Sequence, residues 1–182
     1  MFDIHCHILY GSDDGAGSLE EALKMAKLAA LNGTHAIIAT PHSNVPSLYY
    51  NFWDSEQKVR LEKLNSRLTE EGVNLTVFPG NEIFATGDFI RYLNEGRLLT
   101  LNNSAYALVE FDFYESAKSV FDKILKLADS GYRPVIAHPE RYSFIQADPD
   151  SALQLKRAGA LLQINKGSIK GSFGRKAYIS AR

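Results

Sequence analysis

Phe2-Asp3-Ile4-His5-Cys6-His7 stands at the start of the chain, and residues 2–6 read as a β-strand. Side chains two apart on a strand share a face, so Asp3, His5 and His7 line one side while Ile4 and Cys6 turn to the other. Residues 18–32 follow as a helix, entered through the capping box Ser18-x-x-Glu21 and left at Gly33. The alternation then repeats. Further strands are expected at 36–39, 73–79, 105–110, 134–137 and 160–164. Helices are expected at 54–71, about 87–94, about 115–130, from the cap Asp148-Pro149 to just before Gly159, and weakly from near Phe173. Strands of nearly continuous apolar character, separated by helices and short loops, imply an α/β fold with a parallel sheet buried on both faces. A curved or closed βα barrel is the form this pattern favours. No linker, low-complexity tract or repeat interrupts the series, so residues 1–182 are read as a single domain.

Bulk properties exclude more than they assign. With 182 residues, 45% of them hydrophobic and 23% charged, the chain is long enough to bury one sizeable core. A formal net charge of -1 gives no electrostatic reason to expect nucleic acid, which stays a secondary hypothesis. The N-terminus has no basic region leading into an apolar run, and no stretch approaches the ~20 apolar residues that span a bilayer. A cytoplasmic protein is therefore expected. One cysteine excludes an internal disulfide, in agreement with a reducing compartment.

Working outward from His5 and His7, imidazoles and carboxylates recur once per structural unit. Thr40-Pro41-His42, Glu82, Glu110 and His138-Pro139-Glu140-Arg141 each fall at the C-terminal end of an expected strand or in the loop after it. In βα barrels that rim is where active sites assemble, because loops from many strands meet there. A metal-dependent hydrolase is the reading this spacing supports. His5 and His7 would grip one ion, and Asp3, one layer deeper, would orient a ligating imidazole. Glu110 lies in an apolar strand, where an unpaired carboxylate is costly to bury, and a cation beside it removes that cost.

Other polar and aromatic residues carry two readings each. Asp13 and Asp14 either shape the Ser12-Asp13-Asp14-Gly15 turn or supply a ligand. Glu140 and Arg141 either pair with each other, or Arg141 lies over the rim and binds phosphate. Residues 48–53, Leu-Tyr-Tyr-Asn-Phe-Trp, either pack against a helix or an oligomer partner or form a wall for an aromatic substrate. His35 precedes a strand at its entry end, so packing or exposure is expected of it. Cys6 lacks an Arg six positions on, where Ser12 stands, and its side chain faces away from the histidines, so a buried, inert thiol is expected.

Together the stretches Asp3-Ile-His5-Cys-His7, Asp13-Asp14-Gly15, Ala39-Thr40-Pro41-His42, Pro79-Gly80-Asn81-Glu82-Ile83, Val109-Glu110-Phe111 and Ala137-His138-Pro139-Glu140-Arg141-Tyr142 resemble the polymerase-and-histidinol-phosphatase (PHP) superfamily. Within it they resemble the manganese-dependent tyrosine phosphatases of bacterial capsule and exopolysaccharide clusters, the CpsB/CapC type. The resemblance extends through Leu99-Thr100-Leu101-Asn102 and Gly159-Ala160-Leu161-Leu162-Gln163. It implies a distorted seven-stranded βα barrel with two or three metal ions, Mn first, with Fe, Zn or Mg as alternatives. The implied ligands are His5, His7, Asp14, His42, Glu82, Glu110 and His138, with Arg141 as the catalytic phosphate-binding residue. The implied substrate is the phosphotyrosine tail of a membrane-associated bacterial tyrosine kinase that regulates polysaccharide export. Neither nucleic acid nor membrane insertion is implied, and the resemblance admits a homo-oligomer. Members of the family carry a last strand ending in Asp-x-His, whereas six strands are expected here before Arg182. A truncated sequence is the favoured expectation, a short form with an incomplete metal cluster the other. Two further functions stay open: another PHP phosphoesterase, such as a histidinol phosphatase or nuclease, and a catalytically impaired scaffold that binds the kinase.

Overall fold

Helix starts follow from capping side chains. In the computed structural model, which describes residues 1–182, α1 spans Leu19–Leu31 behind the N-cap Ser18, whose Oγ accepts the Glu21 N–H at 3.2 Å. Glu21 completes the box one residue early, accepting from the Gly17 N–H at 2.7 Å. Asp54 caps α2 (Ser55–Glu70) by accepting from Gln57 N, and Ser116 caps α4 (Ala117–Asp129) by accepting from Ser119 N. Each cap satisfies an amide that the helix itself leaves unpaired.

Residues Met1–Ser104 form one compact unit and Ala105–Arg182 another. In the first, β1 (Phe2–Cys6), β2 (Ala36–Ala39) and β4 (Thr76–Pro79) make a parallel sheet in the order β1-β2-β4. Helices α1 and α2 bury stripes at helical spacing, Leu19, Ala22, Leu23 and Ala26 on α1 and Leu61, Leu64 and Leu68 on α2. These join Ile37 and Val77 of the sheet in one apolar cluster. At ~1.5–3 kcal/mol for each fully buried large side chain, this cluster is the principal stabilisation of the unit. An ion pair between Lys27 and Glu71 ties the exposed side of α1 to the end of α2.

Two further strands were absent from the sequence-based expectation. β3 (His42–Ser43) pairs in parallel with β5 (Glu82–Phe84), with His42 directly opposite Glu82. Both follow β2 and β4 after an interval of two residues, Thr40-Pro41 and Gly80-Asn81. Runs of two and three residues carry no periodicity to read, so their pairing is visible only in space. The short helix α3 (Phe89–Asn94) and a 3-10 turn at Leu101–Asn103 complete this unit.

In the second unit, β6 (Tyr106–Glu110), β7 (Arg133–Ala137) and β8 (Leu161–Gln163) pair in parallel in that order. Val120, Ile124 and Leu127 give α4 its buried face. After β7 the chain makes a 3-10 turn at Pro139–Arg141 and then α5 (Ser143–Ala147), α6 (Asp150–Arg157), β8, α7 (Lys166–Ile169) and α8 (Gly174–Ser180).

All six expected strands are therefore present, and the mixed α/β class with parallel pairing holds. Burial on both faces does not hold everywhere. Phe2 is 77% exposed and Leu161 51%, each on a strand at the end of its pairing order. Strand side chains project above and below the sheet, so these are face positions that no packed element covers.

Candidate metal centre

Glu82 organises the first unit's polar cluster. Its carboxylate is fully buried, and three imidazoles surround it: His5 Nε2 at 3.2 Å from Oε1, His7 Nε2 at 3.3 Å and His42 Nδ1 at 3.0 Å from Oε2. The Nε2 atoms of His5 and His7 are 3.3 Å apart. Donor atoms bound to one cation at ~2.0–2.2 Å sit about 3.0–3.5 Å from each other, so this spacing fits a shared metal ion. Imidazole and carboxylate donors without thiolate suit hydrolytic metal chemistry.

The backbone supplies the aim. Between Asp3 and Cys6 the register of β1 slips, so that three steps along β1 match two along β2. Such a bulge re-aims side chains. Here it sits beneath His5, and the chain leaving the strand delivers His7 beside it. Thr40 fixes the junction, its Oγ1 accepting the Cys6 N–H at 2.9 Å while its own N–H donates to Cys6 O. His42 and Glu82 face each other as ladder partners on β3 and β5, and the buried Asn81 holds that pair. Its Nδ2 donates to Ser43 Oγ at 2.6 Å and its Oδ1 accepts from Leu99 N at 2.8 Å.

The carboxylate that orients an imidazole is Asp13, and the expectation that Asp3 does so is corrected. Asp3 Oδ1 accepts from the backbone N–H of His5. A carboxylate two residues back on the same strand reaches the amide more readily than the ring. Asp13 Oδ2 lies 2.6 Å from His7 Nδ1 and also accepts the His42 N–H, while Oδ1 accepts the Gly15 N–H. Burial opposes ionisation of Asp13, but these bonds hold its carboxyl below the usual range. An ionised Asp13 requires a proton on His7 Nδ1, which turns the Nε2 toward Glu82. Gly15 makes this contact reachable: a Cβ there would lie 2.1 Å from His7 O, so only glycine lets the turn close over His7.

Burial is the largest single influence on His7 and disfavours its charged form. The hydrogen bonds and charges of Asp13 and Glu82 together outweigh it, raising its pKa to about 9. Burial and the nearby Asp3 and Asp13 charges push the Cys6 thiol up to about 12, in keeping with its packing against the apolar cluster. A thiol so poised is a poor nucleophile.

Asp14 is exposed, with Oδ1 3.9 Å from His7 Nδ1 and 3.8 Å from His42 Nε2. The sets His5–His7–Glu82 and His7–Asp14–His42 each bring donor atoms within 4.8 Å of one another. His35 is exposed, as expected. The aromatic stretch divides: Tyr49 stacks on His42 at 5.9 Å and 9°, Phe52 packs edge-on against Tyr92, and Trp53 joins the apolar cluster.

The second unit holds its own polar group. Glu110, at the end of β6, lies 3.6 Å from Nε2 of the buried His138. His138 follows β7 in the left-handed region at φ 33°, a conformation a non-glycine side chain adopts at some strain. Tyr142 fixes both strand ends: fully buried, it donates its hydroxyl to Ala137 O at 2.9 Å and accepts from Phe111 N at 3.2 Å. Glu140 and Arg141 do not pair. Glu140 accepts from Asn165 N and Ser168 Oγ, and the Arg141 guanidinium lies over aromatic rings. Sequence reasoning missed the roles of Asp13, Asn81 and Tyr142, although Asn81 and Tyr142 stand beside ligand candidates.

A buried carboxylate ringed by imidazoles, set at the ends of parallel strands in a mixed α/β fold, defines a metallohydrolase-type site. The chain belongs to the capsular polysaccharide synthesis family CpsB/CapC, which it matches over residues 1–182. It is 40% identical over 176 residues to the tyrosine-protein phosphatase YwqE of Bacillus subtilis, covering 97% of this chain and 68% of that protein. It is 36% identical over 178 residues to the putative tyrosine-protein phosphatase CapC of Staphylococcus aureus, covering 96% of this chain and 68% of CapC. A solved structure from work on YwqE and on CpsB of Streptococcus pneumoniae, described as unique metal-dependent tyrosine phosphatases, superposes with a TM-score of 0.89 at 39% identity. That match covers 98% of this chain and 72% of the solved one.

Proposed function

We propose that this chain is a metal-dependent phosphatase that hydrolyses phosphotyrosine on a bacterial tyrosine kinase regulating capsule or exopolysaccharide synthesis, without a phosphoenzyme. The observation that carries the reading is the convergence of His5, His7 and His42 on the buried Glu82 carboxylate. We assign His5, His7, Asp14, His42 and Glu82 as metal ligands, and Glu110 and His138 as metal ligands also. Manganese is the proposed metal, two or three ions per chain, since the donors are nitrogen and oxygen only. When bound, the metal supplies Lewis acidity toward phosphate oxygens and acidifies a water into the nucleophile.

The protein's own groups do the remaining work. Asp13 holds the His7 ring with Nε2 turned inward. Arg141 binds the phosphate and offsets charge developing on the leaving oxygen. Because a phenol has a pKa of ~10, its phenolate departs without a strong general acid. The proposed substrate is the phosphotyrosine tail of a membrane-associated kinase, met from the cytoplasm. No helix of the chain is long and apolar enough to cross a membrane.

Metal analysis combined with turnover of phosphotyrosine peptides tests the reading. The expected result is at least two ions per chain and hydrolysis that fails on chelation. Arg141→Ala should lower turnover and leave bound metal unchanged. Fewer than two ions with no aryl-phosphate hydrolysis would favour a kinase-binding scaffold, and far better turnover of an alkyl phosphate would favour another PHP phosphoesterase.

A further inference from the structure

Arg141 is held in an unusual way. Its guanidinium carbon lies 4.3 Å from the ring centre of Phe113 and 4.8 Å from that of Phe173, and no carboxylate or carbonyl takes any of its donors. A guanidinium carries its five N–H donors in its own plane. Aromatic rings over such a group hold it through their faces and leave that donor edge unspent. The edge is then ready for a planar, bidentate contact with a carboxylate or phosphate. Arg141, Phe113 and Phe173 line a cavity of about 240 Å³ together with Tyr114, Ser143 and Gln146. That is below the ~300–1,000 Å³ of sites for whole small molecules, and of a size for one side chain or its phosphate group.

Both rings are deliberately placed. The Phe113 backbone is tied down where α5 begins, its carbonyl accepting the Ser143 N–H at 2.8 Å. Phe173 is 47% exposed, and it rests on α7 at Gly167, where a Cβ would meet the ring at 2.6 Å. α7 is in turn anchored by the buried Glu140, which accepts from Ser168 Oγ at 2.6 Å and Asn165 N at 3.2 Å. Thus the residue immediately before Arg141 fixes the helix that seats the ring over Arg141.

We propose that Phe113 and Phe173 are positioning residues that clamp Arg141 and present its donor edge to the cavity for the phosphate of a phosphomonoester, with Gly167 required to seat Phe173. This rests on the reading of Arg141 as the phosphate-binding group and adds what orients it.

The test compares the metal-loaded full chain with Phe173→Leu, Gly167→Ala, Phe173→Tyr and Arg141→Ala. Calorimetry gives the affinity for inorganic phosphate, and p-nitrophenyl phosphate hydrolysis gives KM and kcat separately. Gly167→Ala keeps the ring but displaces it, and alanine suits a helix, so it answers even if Phe173→Leu folds poorly. Phe173→Leu and Gly167→Ala should each weaken phosphate binding about three- to thirty-fold, with KM rising in parallel and kcat changing less. Phe173→Tyr, which keeps the aromatic face, should restore both. If Phe173→Leu and Gly167→Ala leave affinity and KM within twofold while Arg141→Ala weakens them, the clamp is packing alone and the proposal fails. If Arg141→Ala itself leaves phosphate affinity unchanged, the phosphate-binding role of Arg141 falls, and the clamp with it.

Discussion

His7 answers to two carboxylates at once, Asp13 at Nδ1 and Glu82 at Nε2. With its pKa raised from 6.5 to about 9, it holds a proton at neutral pH, one that a metal bound at His7 would have to displace. In the metal-free protein its contribution to stability is complete below about pH 6.5 and is lost as pH rises through about 9. Asp13, lowered from 3.8, contributes above that value and loses its contribution as pH falls through the lower folded pKa. Metal titration between pH 6.5 and 9 should therefore show affinity rising by up to ~tenfold per unit from this one proton. In Asp13→Asn the rise should flatten. An unaltered slope would show that Asp13 does not govern His7. The donor types of the candidate site were legible from residues such as His5 and Glu82, since chemistry is a property of the side chain. That Asp13 rather than Asp3 reaches an imidazole was not, because the turn that brings it back over His7 is a tertiary feature.

Elements show the same division. The cap at Ser18 marks the start of α1 within a residue, because a cap acts on an amide two or three positions away, and the structure shows Asp54 and Ser116 doing the same for α2 and α4. β3 and β5 leave no local signal because their register, His42 against Glu82, joins residues forty apart in sequence. The turn carrying Asp13 and Asp14 depends on Gly15, whose Cβ would strike the His7 carbonyl and Cβ, the latter at 2.4 Å. Backbone cannot yield as a flexible side chain does. Gly15→Ala should destabilise the fold by ~1–3 kcal/mol, as overpacking does, and should weaken metal binding. Urea unfolding and metal titration measure the two effects. Normal values for both would mean that the turn relaxes without carrying Asp13 away.

For the whole molecule, metal binding should appear as stability. A ligand at 100 times its Kd that binds only the folded state contributes ~2.7 kcal/mol, and for a chain of this length each kcal/mol shifts Tm by ~2–4 °C. Chelation at fixed pH should therefore lower Tm by about 5–10 °C, read by calorimetry, and re-addition of manganese should restore it. An unchanged Tm would mean that the imidazoles around Glu82 do not hold metal in the folded state.

By itself the sequence determined the alternation of the longer strands and helices, their approximate ends and the inventory of imidazoles and carboxylates near strand ends. Those follow from local rules, namely side-chain periodicity, capping within one turn and the chemistry of each residue type. Tertiary structure alone decided which carboxylate orients His7, that His42 and Glu82 are ladder partners, and that Arg141 meets two aromatic rings instead of Glu140. Each of these joins residues far apart along the chain or turns on a backbone clearance that glycine alone permits, and no local pattern encodes such distances.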